Sequence, residues 1–133
     1  MMMNNRQPAS LFSVAGLALA SCLMLPSANA AAADEQYAKA ARNYDTYCVQ
    51  CHGINRNGRG INSRDMSVQP RDHSDAKGMG SIPDEEIFQV IKEGGLSVNK
   101  SVLMPAWGNV MSDEEIRELA AYLRHVCNCG SSK

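Results

Sequence analysis

Between Leu11 and Leu25 the chain is apolar and interrupted only by Ser and Gly, whereas from Glu35 onward apolar positions recur every three or four residues. The first pattern has no period; the second is that of helices with one buried face. Tyr37, Ala40, Tyr44 and Tyr47/Cys48 predict a first helix from Glu35 to about Cys51. From Gly53 to Gly80 the period dissolves into Gly, Asn, Arg, Asp, Ser and Pro, which predicts one long loop, and a loop of that length in a small domain is functional or wrapped around something. A second helix is expected to start near Ser81-Ile82-Pro83, with Pro in its first turn and Asp84, Glu85 and Glu86 at the positive end of its dipole. Ile87, Val90 and Ile91 make its apolar face, and Gly94-Gly95 stops it. After the loop LSVNKSVLMPAWGNVM, Ser112 opens a third helix as a capping box with Glu115; Ile116, Leu119, Ala120 and Leu123 form its buried stripe, and it ends around Cys127. Strand patterns and internal repeats are missing, so the expected fold class is all-α, with about three main helices and long loops.

The apolar run changes the domain count rather than the fold. It follows a start carrying Arg6 and no acid, and Ala28-Asn29-Ala30 follows it as a small-x-small cleavage site. This is the layout of a secretory signal peptide over residues 1–30, leaving 31–133 as a single domain with its core at about 35–127. The run is shorter than the ~20 residues that cross a bilayer. Leu19-Ala20-Ser21-Cys22 resembles a bacterial lipobox, but the apolar residues that continue beyond Cys22 suit an ordinary leader better. Both readings export the protein, so the expected compartment is the periplasm, with membrane contact only if Cys22 is lipidated or the leader stays attached.

The formal charge of −1 becomes −2 if Arg6 leaves with the leader, which argues against nucleic acid as a partner. Arginines gather at 56, 59, 64 and 71, and acids in PDEE and SDEE; these are expected to be a solvated loop and helix N-termini respectively. Two Phe and one Trp in the whole chain cannot fill the space between three helices and two long loops. A large bound prosthetic group would supply the missing apolar mass.

Candidate chemistry centres on CVQCH, in which Cys48, Cys51 and His52 fall within five residues. An oxidising compartment would convert a bare dithiol to a disulfide, so the pair is either protected by chemistry or bonded. A zinc site would need Cys127 and Cys129 as further ligands and leaves His52 unexplained; a thioredoxin-like pair expects a βαβ setting; a cysteine nucleophile paired with His52 has no orienting group. C-x-x-C-H is the haem c attachment signature, and export plus an all-helical pattern is its setting. Cysteines three apart share one face of a helical turn and reach one porphyrin edge as thioethers, while the adjacent histidine ligates the iron. For the opposite side of the iron, Met104 is the candidate: it lies in a loop between two helices, and Pro105 stiffens the backbone after it. Met66, Met79 and Met111 are expected in packing or at the surface, His73 in PRDHSD in solvent, where a bis-histidine site would need it buried, and His125 in solvent on the last helix.

CVQCHG, the later MPAWG and the closing SDEEIRELAAYLRHV, in this order, resemble the small monohaem class I cytochromes c of bacterial periplasms across Glu35 to Val126. The resemblance implies that the first and last helices cross over one haem edge, with Tyr44 and Tyr122 as its aromatic contacts and Ala40 allowing close approach. It implies one covalent haem c on Cys48 and Cys51, with His52 and Met104 as axial ligands. A proline carbonyl is expected to accept a hydrogen bond from the His52 ring, with Pro70 in that role, and Arg71 and Trp107 are candidate donors to the haem propionates. The implied function is the shuttling of single electrons between periplasmic or membrane redox proteins. The alternatives are a haem subunit of a larger respiratory oxidoreductase, and an enzyme or gas sensor with an open sixth position. Cys127-Asn128-Cys129 departs from the family pattern: export allows a local disulfide, the two-residue separation would strain it, cross-linking to another chain or partner is the alternative, and no redox role is assigned.

Overall fold

A computed structural model describes residues 28–130, with side chains from Glu35. The expected leader's apolar run, the Cys22 motif and the last three residues lie outside the described residues. Five α-helices follow one another: α1 (Ala28–Tyr47), α2 (Val49–His52), α3 (Ala76–Gly80), α4 (Asp84–Glu93) and α5 (Asp113–Cys127), with single 3-10 turns at Ile61–Ser63 and Gly95–Val98. There is no strand among the described residues, and the fold is the expected all-α one. No helix among them is long and apolar enough to cross a membrane.

The three long helices are those the periodicity predicts, with two adjustments. The first helix is interrupted at Cys48 and resumes as α2 for one turn through the motif, and α1 already begins at Ala28, ahead of the expected cleavage site. Part of the expected loop 53–80 is helical: α3 forms over AKGMG, started by the Asp75 carboxylate, which accepts from the Lys77 N–H at 3.1 Å. Two glycines in five residues hide this turn from propensity. On α4, Ile87 and Ile91 are buried as expected, Val90 is half-buried, and Phe88 joins the face. Both halves of the capping box on α5 are present: the Ser112 side chain accepts the Glu115 N–H, and the Glu115 carboxylate accepts the Ser112 N–H.

The crossing of α1 and α5 frames one side of the molecule. Ala40 is 1% exposed, so the small side chain lets the helices close, and the Tyr44 and Tyr122 rings meet edge to face with centroids 5.9 Å apart. Arg124 holds the other side. Its buried guanidinium donates to Asp84 Oδ1 at 2.7 Å, to the Met79 carbonyl at 2.6 Å and to the Ile82 carbonyl, tying α5 to the turn between α3 and α4. Removing it takes one donor from the Met79 carbonyl, which keeps the Ile82 N–H at 3.1 Å, and takes the guanidinium from the part-buried Ile82 carbonyl, at about 1–3 kcal/mol. Arg124→Ala is therefore expected to lower the unfolding free energy of the holoprotein by that amount, read from its denaturant curve, whereas truncating the exposed Arg117, whose pair with Glu85 lies in solvent, is expected to cost less.

Candidate functional site

The cysteine motif is placed by backbone hydrogen bonds on both sides. The Cys48 N–H donates to the Tyr44 carbonyl at 2.8 Å and the His52 N–H to the Cys48 carbonyl at 2.9 Å, so the five residues continue the direction of α1. The following chain folds back on them: the Gly58 N–H reaches the His52 carbonyl at 2.9 Å and the Gly60 N–H the Cys51 carbonyl at 3.0 Å. A Cβ on Gly60 would collide with the Gln50 and Cys51 carbonyls, so this close approach requires glycine.

The Met104 segment is pinned to the end of α4. The Gly95 N–H donates to the Met104 carbonyl at 2.9 Å, the Trp107 N–H to the Ile91 carbonyl at 3.0 Å, and the Gly108 N–H to the Lys92 carbonyl at 3.0 Å. Gly94 ends the helix at φ +87° and lets this backbone pass; a Cβ there would sit 2.9 Å from the Met104 carbonyl oxygen.

Between these two segments lies a cavity of about 690 Å³ whose lining includes Cys48, Cys51, His52, Pro70, Arg71, Met104 and Trp107, the full set of expected site residues. Apolar side chains from α3, α4 and α5, among them Met79, Ile87, Ile91, Leu119 and Leu123, complete its walls. The size falls within the about 300–1,000 Å³ of small-ligand and cofactor pockets. Met66 also lines it and is half-buried, Met79 is in the core at 1% exposed, and Met111 is buried outside the lining.

Two expectations are corrected here. The His52 ring does not bond to the Pro70 carbonyl: Nδ1 lies 3.0 Å from the carbonyl oxygen of Arg71, one residue later. The Pro70 carbonyl is turned against Gly58, whose missing side chain leaves room for it. His73 is not in solvent. It is 9% exposed, its Nδ1 is 3.1 Å from the Tyr44 hydroxyl, and its ring stacks on that of His52 with centroids 4.2 Å apart and planes 14° from parallel. The polar neighbours that suggest a solvated turn do face outward: the Asp72 carboxylate accepts from the N–H and the hydroxyl of Ser74, which closes a turn and leaves His73 pointing in. The stacking also disposes of a bis-histidine pair, because axial ligands meet end-on through one metal rather than face to face. His125 is exposed as expected, stacked on Tyr37.

Arg56 is a second residue the sequence reading misplaces. Rather than belonging to a solvated loop, it lies over the Tyr44 ring and donates to the Tyr122 hydroxyl and to Asp45, each at 2.8 Å. Burial lowers the pKa of His52, partly opposed by its bond to the Arg71 carbonyl, and lowers that of His73 well below the ordinary value, so both imidazoles are held neutral. Burial pushes the Cys48 thiol up to about 12.

These facts sort the rival chemistries. Cys127 and Cys129 are bonded to each other, and no group of three or more potential ligands among the described residues is placed for a metal ion, which removes the four-cysteine zinc site. Cys48 and Cys51 are free, without the strands of a thioredoxin-like setting. A protonated Cys48 is a poor nucleophile. A haem fits: one cavity is lined by two thiols, a neutral imidazole whose Nδ1 is already bonded so that Nε2 is left for iron, a thioether, and many apolar side chains.

An all-α chain folded around such a cavity has the architecture of the c-type cytochromes. It belongs to the family described as cytochrome c oxidase, cbb3-type, subunit III, whose model matches residues 35–123. The chain is thus a small c-type cytochrome, a haem electron-transfer protein. Two solved structures share the fold, each with a TM-score of 0.52 and 24% identity. One is the KustC0563 c-type cytochrome, with 65% of this chain and 95% of that one covered. The other is the Kuenenia stuttgartiensis reducing HAO-like protein complex Kustc0457/Kustc0458, with 66% of this chain covered and 41% of that one. No curated protein sequence matches significantly.

Proposed function

We propose that the protein is an exported electron carrier that holds one haem c through thioethers to Cys48 and Cys51, with His52 and Met104 as axial ligands, and passes single electrons between redox proteins in the periplasm. The observation that supports this reading is that Cys48, Cys51, His52 and Met104 all line one cavity. A bound haem would supply a one-electron iron couple; the chain's own part is to fix, cover and tune it. His52 is oriented by the Arg71 carbonyl, which raises its basicity as a ligand. Met104 is oriented by the backbone bonds that anchor its loop to α4, and a thioether in that position favours ferrous iron and raises the potential. Ile87, Ile91, Leu119 and Leu123 line the cavity and would shield a bound haem from water. Arg71 and Trp107 line it, and in this reading they would donate to the haem propionates.

Partners are expected at the cavity's rim. Val68 and Leu103 line the cavity and are more than half exposed, and the same two loops expose Ile61, Leu96 and Val102. A small apolar rim of this kind suits brief, weak encounters. Carbon monoxide tests the closed, six-coordinate state on which the carrier reading depends. The reduced protein is expected to keep its spectrum under the gas, while rapid formation of an adduct would favour an enzyme or sensor with an open sixth position. The family description and the redox complex among the similar folds favour one second reading, a haem subunit of a larger oxidoreductase. Copurification of a stoichiometric partner at native expression would select it.

A further inference from the structure

The carrier reading uses His52 and leaves its stacked neighbour without a role. Four observations converge on His73. Its ring covers one face of the His52 imidazole, with centroids 4.2 Å apart. Its Nδ1 is bonded to the Tyr44 hydroxyl, inside the crossing of α1 and α5. Its backbone N–H donates to the Arg56 carbonyl at 2.7 Å, and Arg56 sits at φ +59°, a left-handed conformation that is costly for a residue with a side chain. The Arg56 guanidinium in turn lies over Tyr44 and bonds to Tyr122, closing a network of two tyrosines, an arginine and a histidine around one imidazole face.

A buried apolar side chain would fill this space without a hydrogen-bond partner, whereas a buried imidazole must be given one. The chain supplies the Tyr44 hydroxyl and accepts a left-handed Arg56 beside it. The effect is that a span of three residues restrains His52 twice: Arg71 holds the ring edge through its carbonyl, and His73 holds the ring face.

We propose that His73 is a positioning residue for the His52 ligand, its ring held by Tyr44 so that it fixes the plane of the His52 imidazole relative to the haem. This rests on the haem reading. It adds that the ligand plane is set from the helix crossing, which neither the motif nor the family match assigns. His73 stacks face to face on His52 and thus cannot be the ligand on the opposite side of the iron.

Ferric low-spin haem reports the ligand plane directly, because the orientation of the axial imidazole sets the anisotropy of the electron paramagnetic resonance g values. His73→Ala frees the ring face, so its low-field feature is expected to shift and broaden. His73→Phe restores a stacked ring and is expected to keep the line narrow. Tyr44→Phe removes the hydroxyl while keeping the crossing packed and is expected to give a smaller shift in the direction of His73→Ala. Ile116→Ala, a buried truncation outside the cavity lining, is expected to lower the melting temperature and leave the g values alone. If His73→Ala yields no holoprotein, the comparison of Tyr44→Phe with wild type decides. Wild-type g values and line width in His73→Ala and Tyr44→Phe, whatever their melting temperatures, would overturn the inference while leaving the haem reading intact. A wild-type protein without a low-spin haem signal would overturn both.

Discussion

The double variant Cys48→Ala/Cys51→Ala is expected to lose covalent haem and, with it, a cooperative fold. The walls of the central cavity are apolar side chains from three helices, and a volume of about 690 Å³ between them has no filler in the polypeptide itself. Truncating one buried leucine to alanine costs about 2–5 kcal/mol, largely through the void it leaves. A void several times larger exceeds the about 5–15 kcal/mol by which a small domain is stable. Without thioethers, haem would be held by axial ligation and packing alone and lost under denaturing conditions. Haem-dependent peroxidase staining on a denaturing gel should vanish, and circular dichroism should show a gradual, non-cooperative melt. A sharp melt with full helicity in the haem-free chain would show that the core is built without the cofactor.

Met104→Ala is expected to change the iron's chemistry while leaving attachment intact. The thioether is the soft ligand that favours ferrous iron, so its loss should lower the reduction potential by more than about 59 mV, a tenfold change in a one-electron equilibrium. The near-infrared charge-transfer band of ferric methionine-ligated haem should disappear, and the reduced variant should bind carbon monoxide. Met66→Ala is the control that matters most, because Met66 is the other half-buried methionine lining the cavity. It should retain the band; loss of the band in Met66→Ala and its survival in Met104→Ala would exchange their roles. Met79, at 1% exposed, is core packing, and its truncation should cost stability instead.

How much of this was legible depended on whether the signal was local. The capping box at Ser112 and Glu115, the glycine stop of α4 and the stripe of α5 are written within a few residues of where they act, and the structure holds them in place. That CVQCH and Met104 belong to one cavity was legible for another reason, since ligand chemistry restricts which residue types could serve a haem. What stayed hidden was set by tertiary packing. His73 and Arg56 lie among polar residues in sequence, and only the fold turns them toward Tyr44 and Tyr122. Arg124 carries no sequence signal of its role, yet it is buried with three partners from the α3–α4 region. The shift from Pro70 to Arg71 as the partner of His52 is one residue in a loop with no period to set its register. Cys127 and Cys129 are joined, a state that the expected export allows but that their close spacing left open.

The central claim is that Cys48 and Cys51 carry haem through covalent bonds, and the intact mass of the denatured, exported protein tests it most directly. The account predicts a single species equal to the processed polypeptide plus one haem, with the added mass mapping to the peptide that contains Cys48, Cys51 and His52. A polypeptide mass without haem, or haem released on denaturation, would contradict it.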